Sequence, residues 1–175
     1  MKYYTALTIA GSDSCGGAGI QADIKTMSAL GVYASSAITA ITVQNTKGVY
    51  GIQNVEPEIV KGQIEAVMDD IQPDAIKIGM VNDRDTIKAI ANTLKKYQGK
   101  YQHLVIDPVM VSTSGCRLMQ EDALDIFISE LLPLATLLTP NIPEAEILAE
   151  MKIQNAEDIK TAASAISKLG CKFVL

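Results

Sequence analysis

The sequence is poor in the residues that build metal centres and disulfide frameworks. It has one histidine, His103, and three cysteines, Cys15, Cys116 and Cys171, far apart and in no metal-ligand spacing. Isolated cysteines in odd number fit a reducing compartment better than a disulfide scaffold, and zinc is not indicated. No apolar run approaches the roughly 18 residues that span a bilayer. The opening MKYYTALTIAG lacks the basic start and small-residue cleavage site of a secretory leader. Basic clusters are also missing. Lysines are scattered among acids and the net charge is −5, which argues against nucleic acid or an anionic membrane as partner. Linkers, repeats and low-complexity tracts are absent too. What remains is the expectation of one cytoplasmic domain, residues 1–175, acting on a small molecule; 48% hydrophobic content suffices for its core.

Short β-type runs alternate with helical patterns from end to end, as in βαβ units that build a mostly parallel sheet covered by helices. The runs predict strands at 4–10, 36–43, 75–78, 103–106, 137–139 and 172–175, with TKGVYGIQNV adding a strand or hairpin at the edge. Apolar stripes at helical spacing join Ile20, Ile24, Met27 and Leu30, then Val60, Ile64, Val67 and Ile71, then Ile87, Ile90 and Leu94. A further helix is expected through Leu124, Phe127 and Leu131, and a last one from Asn155 to a stop at Gly170. In open α/β sheets ligands gather beyond the carboxyl ends of the strands. Those positions hold Gly11, Ser12 and Asp13, then Gln44 and Asn45, Gly79 and Met80, Asp107 and Pro108, and Pro140 and Asn141.

The loop GSDSCGGAGIQAD follows the first strand and opens a helix. Gly17-Ala-Gly19-Ile-Gln-Ala22 matches the dinucleotide pattern G-x-G-x-x-A, but it starts too far from the strand, and the second strand ends in Gln44 where an acid should hold a ribose hydroxyl. No Gly-Lys-Ser or Gly-Lys-Thr occurs, so a Walker A loop is excluded. Taken singly, the glycines need do no more than permit tight turns. The acids Asp13 and Asp23 would repel a phosphate at this helix start, yet suit the hydroxyl or amino groups of a neutral substrate.

Five segments together carry a resemblance: ALTIAGSDSCGGAGIQADIKTMSALGVY, ITAITVQNTKGV, KIGMV, VIDPVMVSTSG and LLTPNIPEAEIL. In this order the chain resembles, from about Tyr4 to Leu175, the hydroxymethylpyrimidine and phosphomethylpyrimidine kinases of thiamine biosynthesis, in the ribokinase-like superfamily. A small departure is Ser14-Cys15, where relatives usually have Ser or Pro-Ser. The resemblance implies a three-layer α/β/α fold, phosphorylation of an aminopyrimidine alcohol and its monophosphate, ATP as co-substrate, Mg²⁺, and a homodimer. It assigns Gln44 to the pyrimidine edge, where a carboxamide supplies the donor and acceptor that a 4-aminopyrimidine needs. It places Asp23, Gly11, Met80 and Val109 around the same substrate, and Asp107, Asn141 and Glu144 on the phosphate side, with Glu144 near the metal through water.

Each assignment has a plainer alternative. Gln44 would otherwise face water, Asp23 would favour a helix start through the dipole, Met80 would be core, and Asp107 would cap backbone amides. Asn141 and Glu144 also spell a capping box, with Pro143 tolerated in the first turn. STSG at 112–115 reads as a mobile loop over the crevice, His103 as an ordinary surface residue, and Cys116 and Cys171 as structural. Relatives continue with a lysine-glycine segment and a GTGC-type loop that carries the catalytic residue and anion hole. Neither occurs here, so the fold is expected to be incomplete at its C-terminal end, the chain inactive by itself, and no residue is assigned as general base. Two rivals remain: a pyridoxal kinase of the same superfamily, separated by Gln44, and a module that binds the pyrimidine without phosphorylating it.

Overall fold

A computed structural model describes residues 3–110 and 118–175. STSG at 112–115 and Cys116 therefore lie outside the described residues. The alternating pattern folds as βαβ units. The strands are β1 (Thr5–Ser12), β2 (Tyr33–Asn45), β3 (Gly48–Asn54), β4 (Ala75–Ile78), β5 (His103–Ile106), β6 (Leu137–Leu138) and β7 (Phe173–Val174). The helices are α1 (Gly19–Ala29), α2 (Pro57–Asp70), α3 (Arg84–Lys96), α4 (Leu124–Ile126), α5 (Ile142–Ala149) and α6 (Ala156–Ser167). They frame one sheet of order β3-β2-β1-β4-β5-β6-β7, parallel except for the β2–β3 pair.

The strands β4 and β5 fall where the short apolar runs place them. TKGVYGIQNV supplies β3, which pairs antiparallel with β2 at the sheet edge. β2 begins three residues earlier than its β-type run, because Tyr33 N donates to Tyr4 O at 2.9 Å and extends the ladder with β1. β6 and β7 are shorter than expected. At the centre, Leu7 and Ile9 of β1, Ile76 and Ile78 of β4, and Leu104 and Ile106 of β5 are all essentially inaccessible to solvent. Each such side chain contributes about 1.5–3 kcal/mol on burial.

The stripe of α3 is as expected: Ile87, Ile90 and Leu94 are fully buried. Its N-cap Asp83 accepts from Thr86 N at 2.9 Å. On α2, Val60 and Ile64 are buried, but Met68 takes the deep position expected of Val67, which with Ile71 is half-buried. On α1 the departure is larger. Ile20 is buried, Ile24 and Met27 are half-buried, and Leu30 is 76% exposed. Leu30 lies beyond the helix, in a turn that Gly31 reverses at φ +75°, so it no longer shares the helical face.

The expected helix through Leu124, Phe127 and Leu131 is irregular. A 3₁₀ turn at Glu121–Ala123 leads into α4, the chain widens to a π turn at Phe127–Leu131, and a 3₁₀ turn at Leu132–Leu134 contains Pro133. Phe127, Leu131 and Leu132 are nevertheless buried. Proline lacks an amide and its ring excludes the carbonyl four residues back, which ends regular helix. Asn155 caps α6 through Glu157 N and Asp158 N, and Gly170 follows that helix at φ +115°.

The chain leaves β1 toward β2 on one side and later returns to add β4 on the other. Right-handed crossovers then put α1 and α3 on opposite faces of the sheet. This reversal opens a crevice beyond the carboxyl ends of β1 and β4, where α/β sheets bind ligands.

Candidate active site

A cavity of about 330 Å³ occupies this crevice. The Gly-rich loop forms one wall, and its geometry is set by Asp13. Asp13 is 3% exposed; its Oδ2 accepts from Ala18 N at 2.8 Å and Gly17 N at 2.9 Å, while Oδ1 accepts from Cys15 N at 2.9 Å. Burial pushes the Asp13 carboxyl upward, but the bonds from Cys15, Ala18 and Gly17 outweigh it and hold the group below the usual aspartate range. The amides that in a phosphate loop would face an anion are thus filled by the loop's own carboxylate. Asp13 lines the cavity but spends its oxygens on the fold rather than on a ligand.

Ser14 closes the loop against β2. Its hydroxyl donates to Gln44 O at 2.6 Å and accepts from Gln44 N at 3.0 Å. That clamp fixes the backbone of Gln44, whose side chain lines the cavity. Its Oε1 accepts a long bond from Thr42 Oγ at 3.3 Å, and its amide nitrogen donates to no described group. The carboxamide thus retains donors for a ligand.

The opposite wall is apolar. Met80, 9% exposed, packs with Ala40, Leu118 and Val109, and Thr39 Oγ fixes its backbone by donating to Met80 O at 2.7 Å. Gly11 lies beneath: a β-carbon there would stand 3.2 Å from the Met80 methyl. Gly11, Met80 and Val109 therefore line one cavity, with Leu118, Val49 and Thr42 as lining residues that the motifs do not single out.

The cavity floor is ionic. Asp23 Oδ2 accepts from Thr8 Oγ at 2.6 Å and from Lys77 Nζ at 3.0 Å. Asp107 follows β5, with an oxygen 4.0 Å from the same ammonium. Parallel register explains the meeting: Thr8 pairs with Lys77 and Lys77 with Val105, so Lys77 and Asp107 share a sheet face with Thr8. Burial raises the Asp107 carboxyl above the ordinary range; Lys77 opposes this and Asp23 adds to it. Lys77 was not singled out from the sequence. The available signal was a lysine inside the otherwise apolar AIKI.

Asn141 and Glu144 do not line the cavity. They form the capping box of α5: Asn141 Oδ1 accepts from Glu144 N at 3.0 Å, and Glu144 Oε2 accepts from Asn141 N at 3.0 Å. The other Glu144 oxygen accepts from Met110 N at 3.4 Å. Glu144 is 4% exposed. Burial raises its carboxyl; the Asn141 and Met110 bonds pull it down, and the nearby Asp107 charge pushes it further up. His103 is exposed at the start of β5, Cys15 is exposed and Cys171 is buried. Among the described residues no group of three or more His, Cys, Asp or Glu side chains is placed to hold a metal alone.

A mostly parallel sheet with a pocket at its reversal point defines an open α/β fold, and its neighbours make it ribokinase-like. A crystal structure of phosphomethylpyrimidine kinase from Clostridium difficile 630 superposes with a TM-score of 0.91 at 53% identity, covering 98% of this chain and 74% of that one. A pyridoxal kinase from Staphylococcus aureus, in complex with AMP-PCP and pyridoxal, gives a TM-score of 0.86 at 35% identity, covering 99% of this chain and 62% of that one. The phosphomethylpyrimidine kinase family model matches residues 13–175, and the chain belongs to that family. It is 53% identical over 171 residues to a hydroxymethylpyrimidine/phosphomethylpyrimidine kinase of Rhizobium meliloti (strain 1021), covering 97% of this chain and 63% of that protein. The chain thus spans a little under two thirds of that relative's length. No helix among the described residues is long and apolar enough to cross a membrane.

Proposed function

We propose that this chain forms the substrate-binding part of a kinase that transfers the γ-phosphoryl of ATP to 4-amino-5-hydroxymethyl-2-methylpyrimidine and to its monophosphate. The observation that carries the reading is the convergence of Gln44, Asp23 and Met80 on one cavity. The Gln44 carboxamide pairs with the ring nitrogen and exocyclic amino group, while Met80 and Val109 cover the ring. Asp23 keeps one oxygen free of bonds to described groups and orients the amino or hydroxymethyl group.

Mg²⁺ belongs to this reading as an ion carried with the nucleotide. The donor set fits: Asp107 is a half-exposed carboxylate facing the crevice, and Mg²⁺ is ordinarily held by one or two carboxylates with phosphate oxygens and water. Bound there, it would neutralise charge on the transferred phosphoryl group. Glu144 stands behind Asp107, joined to Asn141 and Met110, and reaches the ion only through water. No residue is assigned as general base. A homodimer, a cytoplasmic location, and the absence of nucleic-acid and membrane partners complete the reading; the net charge of −5 supports the last two.

Calorimetric titration tests the reading. Hydroxymethylpyrimidine should bind more tightly than pyridoxal, which lacks the aminopyrimidine edge. Preference for pyridoxal would assign the cavity to that class instead.

A further inference from the structure

We propose that Lys77 is the phosphate-recognition residue of this cavity, the group that admits the pyrimidine monophosphate as well as the uncharged alcohol. The inference rests on the pyrimidine reading above and assigns a role within that site.

Among the described residues the lining contains three carboxylates, Asp13, Asp23 and Asp107, and a single cation, Lys77. An alcohol enters such a pocket without electrostatic cost. A phosphate monoester carries nearly two negative charges at neutral pH and is repelled unless a cation meets it. Among the described residues, Lys77 is the lining side chain able to do so.

Its surroundings hold the ammonium without saturating it. The group has three N–H donors. One serves Asp23 at 3.0 Å, while Asp107 at 4.0 Å lies beyond hydrogen-bond distance. No other described acceptor is bonded to it, so two donors remain for phosphoryl oxygens. The backbone makes room for this reach: a β-carbon at Gly79 would lie 2.7 Å from Lys77 Nζ and 3.2 Å from the Ala10 β-carbon. A side chain at position 79 would displace the ammonium from the cavity floor.

Asp23 and Asp107 also tune the response. They keep the cation in place when a neutral substrate is bound. When a phosphate enters, Lys77 turns two unused donors to it and retains its bond to Asp23.

The test compares Lys77→Met and Lys77→Gln with the unmodified chain by calorimetric titration, using hydroxymethylpyrimidine and its monophosphate. The readout is the ratio of the two dissociation constants, which a partial loss of folded protein does not change. The ratio is expected to move roughly tenfold to a hundredfold toward the alcohol, the range for losing a charge-assisted bond. A ratio unchanged within about threefold, whether both ligands weaken or neither does, overturns the proposal. If the unmodified chain binds the alcohol but not the monophosphate, the proposal falls and the pyrimidine reading stands. If it binds neither, the pyrimidine reading fails and takes the proposal with it.

Discussion

Gly19, the first residue of α1, lies against the carbonyl of Gly11 in β1 so closely that a β-carbon on it would stand 2.2 Å from that oxygen. Gly19 also has φ +55°, a conformation that L side chains rarely adopt. The approach is what brings the start of α1, and with it Asp23, over the end of β1.

Gly19→Ala should therefore destabilise the fold by about 3 kcal/mol or more, combining left-handed strain with a backbone clash that no rotamer relieves. Gly31→Ala is the control. It shares a positive φ, +75°, but has nothing within 4 Å of the added carbon, and should cost only about 1 kcal/mol. Urea denaturation of both variants measures the difference. Equal costs would mean that the contact with Gly11 relaxes freely.

Asp13→Asn should cost about 2 kcal/mol at neutral pH, because an amide offers one acceptor oxygen where three backbone amides and the Cys15 thiol converge. The pH dependence has a definite sign. A carboxyl held below its unfolded value binds fewer protons when folded, so its stabilisation is present above the ordinary aspartate range and is lost as pH falls through the lower folded value. The difference between variant and parent should accordingly shrink on acidification. A difference constant down to strongly acid pH would show that the charge of Asp13 contributes nothing.

Gln44→Leu should leave stability nearly unchanged, since among the described residues the side chain makes only the long bond to Thr42, while weakening hydroxymethylpyrimidine binding by roughly 1–3 kcal/mol. Calorimetric titration reads this directly. Undiminished affinity would remove Gln44 from the reading head.

The sequence made much of this legible because short apolar strands have few alternatives: AIKI and HLVI cannot bury their residues any other way, and both fall where expected. The residues past each strand were also readable, since a parallel sheet delivers them all to one end. Lys77 was hidden because its role depends on register with Thr8 on another strand and on the missing side chain of Gly79, neither of which is local. Asp13 was visible as an acid in a glycine loop. That its partners would be the loop's own amides followed only from the turn geometry. Leu30 misled because helical spacing continues in the sequence past the point where the helix ends.

Glu144→Gln separates capping from metal support. Its two oxygens accept from Asn141 N and Met110 N, and the carboxamide can serve only one of these, so a loss of about 1–2 kcal/mol is expected. Because burial raises the carboxyl, the folded state holds its proton to higher pH than the unfolded chain, and this group's contribution falls as pH rises from the ordinary glutamate range through the folded value. The cost of the substitution should therefore be larger below that window than above it. If the glutamate also supports the ion through water, the variant should in addition show a weaker dependence of ATP binding on Mg²⁺, with hydroxymethylpyrimidine affinity retained. Denaturation across pH and ATP titration with and without Mg²⁺ give both readouts. A stability loss with an unaltered Mg²⁺ dependence would reduce Glu144 to its capping box and leave Asp107 as the carboxylate that faces the metal.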